Sequence, residues 1–556
     1  MPQDAFTIKY VVKELSEKLT GGKISKITQT DRDSLTFIIY TGNGSVKLDI
    51  CLSARACRLS LTDSDKPVPQ VAPGFCMLLR KHLANAQITA VTQLEYERVV
   101  MIDFDCTSEF EHLKMRLYVE LMGKYSNAVL TQDGVILGAL KTTAIGENTK
   151  RVLFSGVKFT LPEPQEKILP NDLPALEAAF EYAAGDIAKF ISDKVKGVAY
   201  STALDIVETY GENLTAKDVN AYICEEKCNP CITFSENEPN DFKARCASPN
   251  RREYPTVLEA QKAYYDYQYK KQTFEEAKKK LITALNGAVK KLEKRLQSIN
   301  QKLLDCRDAD EIKLKGELIT ANIYAILRGM DSFEAVNYYD ENGGKIKIAL
   351  DRTLSPSQNA QKYYKRYAKL KRTQETVSAQ RSETEEKLNY LNSIAAHITA
   401  SEELFDLEEI AEELKQIGLI KEVAKGKKQK PKITPFRTFD IGGFRVLAGR
   451  NNIQNDRLIK SISGGDMWLH TQGYHSSHVA IICEGRDVPD SVLLAAAEIC
   501  AYYSAGRNGT KIPVDYTRRK SVKKLPASNA GFVIYNDYKT ILVEPASHAG
   551  ESTEEL

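Results

Sequence analysis

The stretch FEEAKKKLITALNGAVKKLEKRLQSINQKLL, residues 274–304, decides the architecture of this chain. Its apolar residues recur at steps of three and four, and the positions between them are rich in lysine, arginine and glutamate. Apolar side chains at that spacing share one side of a helix and pack against a partner helix. The apolar positions are Phe274, Ala277, Leu281, Leu285, Ala288, Leu292, Leu296, Ile299 and Leu303. The pattern predicts the first helix of a coiled coil.

The same spacing returns more loosely at Leu388, Leu391, Ala395 and Ile398. Between the two helices, at about 305–355, glycines precede an alternation of lysine and isoleucine that is typical of a strand. We therefore predict a long antiparallel coiled-coil arm over 253–424 with a small middle insert. Helices of roughly fifty residues would extend on the order of 75 Å, which suits a large partner. A structural spacer or a dimerisation coil is the alternative.

The residues before the arm predict two domains. Residues 1–170 combine a helix at the start with alternating strand patterns, and Asn43-Gly44 marks a hairpin turn. Residues 171–252 read as short amphipathic helices, and 194–198 form a turn between two of them. Such a turn offers backbone N–H groups to a phosphate, as in a helix-hairpin-helix module. A plain corner between two helices is the competing interpretation.

The residues after the arm predict a basic linker over 425–434 and a last α/β domain over 435–556. The chain as a whole is therefore predicted to be a multidomain α+β protein. The last domain holds the densest set of chemically capable side chains: Asp466, Trp468, His470, His478, Asp515 and Tyr516. A basic run follows, and it is either a solvated turn or a patch that faces phosphates. Its members are Arg518, Arg519, Lys520, Lys523 and Lys524.

Composition excludes several classes of protein. Lys+Arg 77 and Asp+Glu 74 nearly balance, so total charge alone does not indicate a nucleic-acid partner. The 11 cysteines are scattered, no export signal is recognised, and no apolar run is long enough for a membrane span. We expect a cytoplasmic protein without a membrane partner.

Two groups of residues raise the question of a metal. Cys224, Cys228 and Cys231, with Cys246 downstream, have a spacing compatible with zinc or an iron–sulfur cluster, and free thiols are the alternative. His470, His475 and His478 lie close in sequence, but residues 467–470 alternate like a strand. We predict no metal, no other cofactor and no catalytic centre, since no nucleotide-binding or triad motif is present.

Several stretches together resemble one family. They are DAFT at 4–7, VELMGKYSN at 119–127, GELITAN at 316–322, NAQKYYK at 359–365, DMWLH at 466–470 with SHV at 477–479, and VDYT at 514–517 with VKK at 522–524. In this order they resemble the NFACT family, in particular its bacterial ribosome quality-control members. The resemblance implies an NFACT-N domain, a helix-hairpin-helix module, the coiled-coil arm and an NFACT-R domain.

The resemblance also implies a function. Members of this kind bind stalled large ribosomal subunits, both rRNA and stalk-base proteins, that still carry peptidyl-tRNA. They recruit tRNA, alanyl-tRNA in bacteria, for template-free alanine tailing of the nascent chain, which marks it for degradation. A small Hsp15-like RNA-binding protein is a further implied partner. Peptide transfer is ribosomal chemistry, so the resemblance implies a positioning factor and not an enzyme.

The family's tRNA-recruiting residues fall here on Asp4, Glu97 and Arg98, and its motif adds Glu120 and Lys124. Glu97 departs from the family's aspartate, which keeps the charge but moves the carboxylate outward. A fibronectin-binding surface adhesin is the alternative function. A glycosylase acting on damaged DNA is a third, disfavoured because Gln3 stands where that chemistry needs glutamate after Pro2.

Overall fold

The structure is a computed structural model that describes residues 3–64, 66–107, 112–143, 151–211, 213–340, 343–420, 434–526 and 528–548. The chain divides into two units, residues 1–271 and residues 272–555. The predicted linker over 425–434 falls outside the described residues except at its last position. Within the described part, no helix combines the length and apolar content that crossing a bilayer requires.

The first unit is built on one antiparallel sheet of nine strands, in the spatial order β4-β3-β2-β1-β5-β6-β7-β8-β9. Alternating apolar residues form these strands because every second side chain faces the core. The helices and strands are α1 (Ala5–Leu19), β1 (Lys23–Gln29), β2 (Ser34–Tyr40), β3 (Ser45–Cys51), β4 (Arg58–Leu61), α2 (Gly74–Leu83), β5 (Gln87–Gln93), β6 (Val99–Thr107), β7 (His112–Glu120), β8 (Asn127–Gln132) and β9 (Val135–Ala139). The predicted helix and strands are present; β4 and β9 were not predicted.

Residues 171–253 contain more than the predicted helices. The helices are α3 (Leu173–Phe180), α4 (Ile187–Lys194), α5 (Tyr200–Tyr210) and α6 (Ala216–Cys224). They are followed by a three-stranded sheet of β10 (Cys231–Ser235), β11 (Glu238–Lys243) and β12 (Arg251–Glu253). The purely helical description of this module was therefore wrong. The strands are short and their loops are rich in asparagine and proline, which masked the alternation.

The arm is built from four helices, not the predicted two. They are α7 (Val257–Asp305), α8 (Ala309–Ala321), α9 (Pro356–Thr399) and α10 (Leu404–Gln416). The 49 residues of α7 correspond to about 74 Å. In the second unit, Leu281 and Leu285 of α7 are buried in one cluster with Leu391 of α9 and with Leu407 and Ile410 of α10. The predicted apolar seam is confirmed there, and α10 contributes a third helix to it.

The middle insert begins as a helix and not as strands. The helix α8 packs along α9, and a Cβ at Gly316 would lie 3.3–3.4 Å from Tyr363 and Tyr364. Glycine at this position lets the two helices approach closely. The predicted strand follows as β14 (Lys345–Ala349), which pairs in a hairpin with β13 (Ser332–Val336), a strand that was not predicted. The prediction missed α8 because its apolar residues were assigned to the insert as a whole.

The last domain is a six-stranded antiparallel sheet in the order β15-β16-β18-β17-β19-β22. Helix α12 packs on one face, and Trp468 lies in a cluster with Ile459 of α11, Val522 and Tyr535. The elements are β15 (Arg437–Ile441), β16 (Phe444–Ala448), α11 (Asn452–Ser461), β17 (Met467–Thr471), β18 (Val479–Ile481), α12 (Asp490–Tyr502), β19 (Ile512–Arg518), β20 (Val522–Lys523), β21 (Ile534–Tyr535) and β22 (Lys539–Val543). Helix α11 was not predicted.

Candidate nucleic-acid interface

Asp4 joins the start of α1 to the turn between α4 and α5. One of its carboxylate oxygens accepts a hydrogen bond from the Thr7 backbone N–H at 2.9 Å, which caps the helix. The other accepts from the Ala199 N–H at 3.0 Å. The Phe6 N–H donates to the Gly197 carbonyl at 3.1 Å. The side chain of Asp4 is thus buried and engaged within the protein, so it positions this corner.

The turn at Gly197 requires glycine. Its φ of +81° is unfavourable for other residues, and a Cβ there would lie 3.0 Å from the Tyr96 carbonyl oxygen. The N–H groups of Val195 and Lys196 donate to backbone carbonyls, and that of Ala199 donates to Asp4. Three donors of the predicted phosphate-binding turn are therefore already used. The turn exists, but it does not present these groups to a ligand.

Glu97 and Lys196 form an ion pair at 2.9 Å that connects the β5–β6 turn with the α4–α5 turn. Both side chains are mostly buried. The side-chain amide of Gln93 holds the same corner by donating to the Ala5 carbonyl at 2.8 Å and to the Glu97 carbonyl at 2.9 Å. Sequence reasoning identified Glu97 but missed Lys196, although Lys196 lies in the turn that the sequence singled out.

Arg98 is the available cation at this corner. Its backbone carbonyl accepts from the Leu121 N–H at 2.8 Å, and its half-buried side chain has no hydrogen-bond or ion-pair partner among the described residues. The register also pairs Val99 with Glu120, so the motif at 119–127 begins beside Arg98. Asp4, Glu97, Arg98 and the start of that motif are thus brought to one end of the sheet.

Glu120 itself is buried and bound. Its two carboxylate oxygens accept from the Arg151 guanidinium at 3.0 and 2.6 Å, and 2% of the residue is exposed. A two-point pair of this kind is strong and fixes geometry. Lys124 is different, because it is exposed and its ammonium lies 4.8 Å from the centre of the Tyr125 ring, which is also exposed. Lys124 and Tyr125 are therefore free to meet a ligand, and Glu120 is not.

A small cavity of about 220 Å³ opens beside the same corner. Phe6, Lys9, Tyr96 and Lys196 line it with aromatic rings and two ammonium groups. Burial, with a hydrogen-bonding contact to the Cys224 thiol at 3.9 Å, raises the pKa of Tyr96 to about 12. The cavity is small for a cofactor; rings and cations of this kind suit an anionic or aromatic group from a larger partner.

The cysteines do not converge on one point. The Cys228 thiol donates to the Ala244 carbonyl at 3.0 Å, Cys224 contacts Tyr96, and Cys231 and Cys246 are buried beside each other. Within the described residues, no group of three or more His, Cys, Asp or Glu side chains is arranged to hold a metal ion.

In the last domain most of the predicted signature residues are structural. Trp468 is fully buried, with the His470 ring parallel to it at 5.8 Å and the His478 ring edge-on at 5.3 Å. Burial lowers the pKa of His470 to about 4 and that of His478 well below its ordinary value. Asp515 accepts from the Tyr535 and Thr540 hydroxyls at 2.8 and 2.6 Å.

Two further signature residues have different environments. Asp466 is buried and accepts from the N–H groups of Ser463 and Cys483 at 2.7 and 2.8 Å. Tyr516 is partly buried on the face of the sheet that packs against α12. The signature thus describes how this domain folds more than what it touches.

The basic run divides into bound and free cations. Arg518 donates to the Gly465 carbonyl at 2.6 Å, Arg519 donates to the Ile459 carbonyl at 2.7 Å, and Lys524 pairs with Asp456. Lys520 and Lys523 are exposed and have no side-chain partner in the described part of the chain. As far as the described residues extend, two of the five predicted cations are therefore available for phosphates.

These features define a class of protein: a multidomain α+β protein with a long helical arm and cationic surfaces suited to RNA. Residues 4–433 match the family described as "NFACT N-terminal and middle domains", and residues 432–535 match "NFACT protein RNA binding domain". The chain belongs to the NFACT family.

Relatives cover nearly the whole chain. "Rqc2 homolog RqcH" of Bacillus subtilis is 30% identical over 549 residues, 96% of this chain and 96% of that protein. The protein of the same name from Streptococcus pneumoniae is 29% identical over 555 residues, 98% of each chain. Among solved structures, the C-terminal part of the fibronectin/fibrinogen-binding protein from Streptococcus suis is 28% identical with a TM-score of 0.40, covering 50% of this chain and 96% of that one. That TM-score is low and supports no functional conclusion.

Proposed function

We propose that this protein is a ribosome quality-control factor that binds stalled large ribosomal subunits carrying peptidyl-tRNA and recruits tRNA for alanine tailing of the nascent chain. Membership of the NFACT family and similarity over nearly the full length to proteins named Rqc2 homologs support the ribosomal role. The RNA-binding family match over 432–535 supports RNA as the partner. The choice of alanyl-tRNA follows only from the resemblance.

One observation in the first unit carries the tRNA part of the proposal. Arg98 has no side-chain partner among the described residues, although its neighbours Glu97 and Lys196 pair with each other. An unpaired, half-buried guanidinium on a braced turn can bind a phosphate or stack on a base with little loss of conformational freedom. Lys124, Tyr125 and the cavity at Phe6 and Tyr96 extend that surface.

The arm is proposed to contact the large subunit through its middle insert. Exposed aromatic and apolar side chains are concentrated there: Tyr324, Leu327, Met330, Tyr338 and Tyr339. Tyr324 is fully exposed and adjoins the GELITAN motif. Apolar groups held in solvent at such density are typical of a surface that a partner covers. Stalk-base protein or rRNA is the partner we propose.

In this proposal the protein positions substrates and the ribosome makes the peptide bond. No observation in the described residues favours the alternative of a fibronectin-binding adhesin. An Hsp15-like helper stays a prediction that mass spectrometry of the purified complex would test.

The proposal is tested by purifying the tagged protein from its own cells and sequencing the RNA that comes with it. We expect large-subunit rRNA with small-subunit rRNA depleted, and one enriched tRNA, which would identify the amino acid. Large-subunit rRNA without tRNA would contradict the recruiting role. Absence of both RNAs above an untagged control would overturn the proposal.

A further inference from the structure

The last domain presents apolar side chains to solvent in one short segment. The exposed fractions are Leu525 44%, Phe532 53%, Ile534 42% and Tyr538 47%. All of them lie between β20 and the edge strand β22. Large apolar groups exposed together in this way are typical of a surface that a partner covers.

The register places two exposed side chains, Lys523 and Ile534, on one face. Lys523 pairs with Ile534 and Val522 pairs with Tyr535. Successive side chains of a strand point to opposite faces, so Ile534 and Lys523 point outward while Val522 and Tyr535 point inward. Phe532 precedes β21 and is 53% exposed, whereas its neighbour Val533 packs into the cluster of Trp468 and Val522. Burial agrees, because Val522 is in the core. We call this outward surface, with Phe532 and Tyr538, the β20–β21 face.

The β20–β21 face rests on a rigid base. The Tyr535 ring lies 4.9 Å from the buried Trp468 ring, and the Tyr535 hydroxyl donates a hydrogen bond to Asp515 at 2.8 Å. Tyr538 meets Tyr535 edge-on at 5.3 Å. Aromatic side chains that are already fixed lose little conformational entropy when a ligand stacks on them.

The charge around this face is strongly positive. Residues 518–542 include six cations (Arg518, Arg519, Lys520, Lys523, Lys524 and Lys539) and one acid (Asp537). Lys520, Lys523 and Lys539 are exposed, and none has a side-chain partner among the described residues. Free ammonium groups beside exposed rings match a chain that alternates phosphates with flat bases.

We propose that the β20–β21 face binds unpaired RNA, with Phe532 and Tyr538 stacking on bases and Lys520, Lys523 and Lys539 contacting phosphates. Aromatic side chains bind single-stranded loops and ends because the bases there are free to leave the stack, whereas a duplex offers mainly phosphates and sugars. This inference rests on the proposed function for its RNA partner but concerns a surface separate from the residues around Arg98.

The test measures binding of purified full-length protein to a fluorescently labelled single-stranded RNA of about twelve nucleotides, a length within the range of stacking sites. A duplex of the same sequence is the second probe. We expect the single strand to bind more tightly. Phe532→Ala should weaken that binding roughly tenfold or more, the loss of one stacked base. Lys523→Glu should weaken it and lower the slope of log affinity against log salt by about 0.7.

Two matched variants lie at the other end of the same sheet. Tyr474 is a comparably exposed aromatic residue at 43%, and Lys511 is an exposed cation just before β19. The β19 strand separates Lys511 from Arg518 by roughly 20 Å. Tyr474→Ala and Lys511→Glu should bind the single strand like the unmodified protein. Emission from Trp468, the single tryptophan of the chain, reports in every variant whether the last domain is folded.

Equal affinity for duplex and single strand, or unchanged binding by folded Phe532→Ala, would overturn the inference. If the protein fails to bind the single strand yet still co-purifies with large-subunit rRNA and tRNA, this inference fails and the proposed function stands. If neither RNA co-purifies, the proposed function fails whatever the short probe does.

Discussion

Asp406 of α10 and Arg437 of β15 form a buried ion pair at 3.3 Å in the second unit. Asp406 also accepts from Arg450 at 3.0 Å, and the Arg437 guanidinium lies 4.2 Å from the centre of the Tyr503 ring. Burial lowers the pKa of Arg437 despite the carboxylate beside it. The base of the arm and the last domain are thus joined by side-chain contacts as well as by the chain between them.

We expect Asp406→Ala to destabilise the last domain by about 3–5 kcal/mol, because it removes the buried counter-charge of Arg437 and leaves only the more exposed Glu402 at 3.9 Å. Denaturant unfolding followed by Trp468 emission measures this. The matched control is Glu412→Ala on the same helix, where an exposed pair with Lys415 contributes at most about 1 kcal/mol. Equal stability of the two variants would show that the pair does not hold the joint.

A chain of buried polar groups lies beside this ion pair. Tyr390 donates its hydroxyl to Glu413 at 2.7 Å, Asn452 donates to the same oxygen at 2.9 Å, and His397 lies 3.2 Å from the Asn452 side-chain oxygen. Burial raises the pKa of Glu413 and lowers that of His397 to about 3. Burial thus disfavours the charged form of each group, and the two shifts have opposite effects on how stability depends on pH.

The second prediction is a loss of stability in acid. Because His397 resists protonation when folded, the unfolded chain binds the extra proton below its ordinary pKa of about 6.5, so stability falls as pH decreases from there toward 3. His470 and His478 add to the effect. Glu413 acts oppositely, since the unfolded chain ionises first as pH rises above about 4.3.

The measurement is the urea midpoint of unfolding, followed by Trp468 emission, at pH values between 7 and 4. Steps of about half a pH unit cover the region where the histidine proton is gained. His397→Gln should make the free energy of unfolding fall less steeply as pH decreases, by the contribution of up to one bound proton. A curve of unchanged steepness would show that His397 does not titrate on unfolding.

The sequence predicted the elements that repeat a simple pattern. Apolar and polar residues alternate in β3, and the apolar spacing of α7 runs for many turns, so both appear where expected. Helix α11 was missed because its buried positions include Asn452, Gln454 and Asn455, whose side chains are satisfied by partners far along the chain. Polar residues that are buried through such contacts look exposed in a sequence.

The site was predictable as a set of residues but not as a set of roles. The motif positions lie together at one end of the first sheet, yet Asp4 caps a helix and Glu120 binds Arg151, while Arg98 has no side-chain partner within the described ranges. The positive φ of Tyr96 and the ion pair of Lys196 depend on tertiary contacts, so no local pattern indicates them.

The third prediction distinguishes a structural role of Glu120 from a direct role in recruiting tRNA. Glu120→Gln should destabilise the first unit, because Arg151 loses its charged partner and the buried amide cannot accept both hydrogen bonds. We expect about 2–4 kcal/mol, somewhat less than complete removal of a buried partner. Thermal unfolding of the first unit, monitored by its sensitivity to protease, measures this loss of stability. Lys124→Ala, at an exposed position in the same motif, should leave stability unchanged and weaken tRNA binding.

The fourth prediction concerns the carboxylate at Glu97. Glu97→Gln should loosen the turn that carries Arg98, since Lys196 would keep its charge without a partner, and should reduce tRNA recovery several-fold. Glu97→Asp keeps the charge and should retain most of the recovery. Glu17→Gln, at an exposed position near the end of α1 that does not line the cavity, is the control. Sequencing of co-purified tRNA measures all three variants. Full tRNA recovery with Glu97→Gln would show that tRNA recruitment does not need the ion pair.

The last prediction is that Arg98→Ala abolishes tRNA recruitment while ribosome binding persists. Arg98 has no side-chain partner among the described residues, so its removal breaks no ion pair and should leave the stability of the unit within about 0.5 kcal/mol of the original. The arm is proposed to supply most of the affinity for the large subunit, so co-sedimentation with large subunits should continue. Tyr324→Ala at the insert should show the opposite pattern, with weaker co-sedimentation and retained binding of free tRNA. Loss of both activities in Arg98→Ala, with the fold intact, would show that one surface serves both partners and would contradict this division of labour.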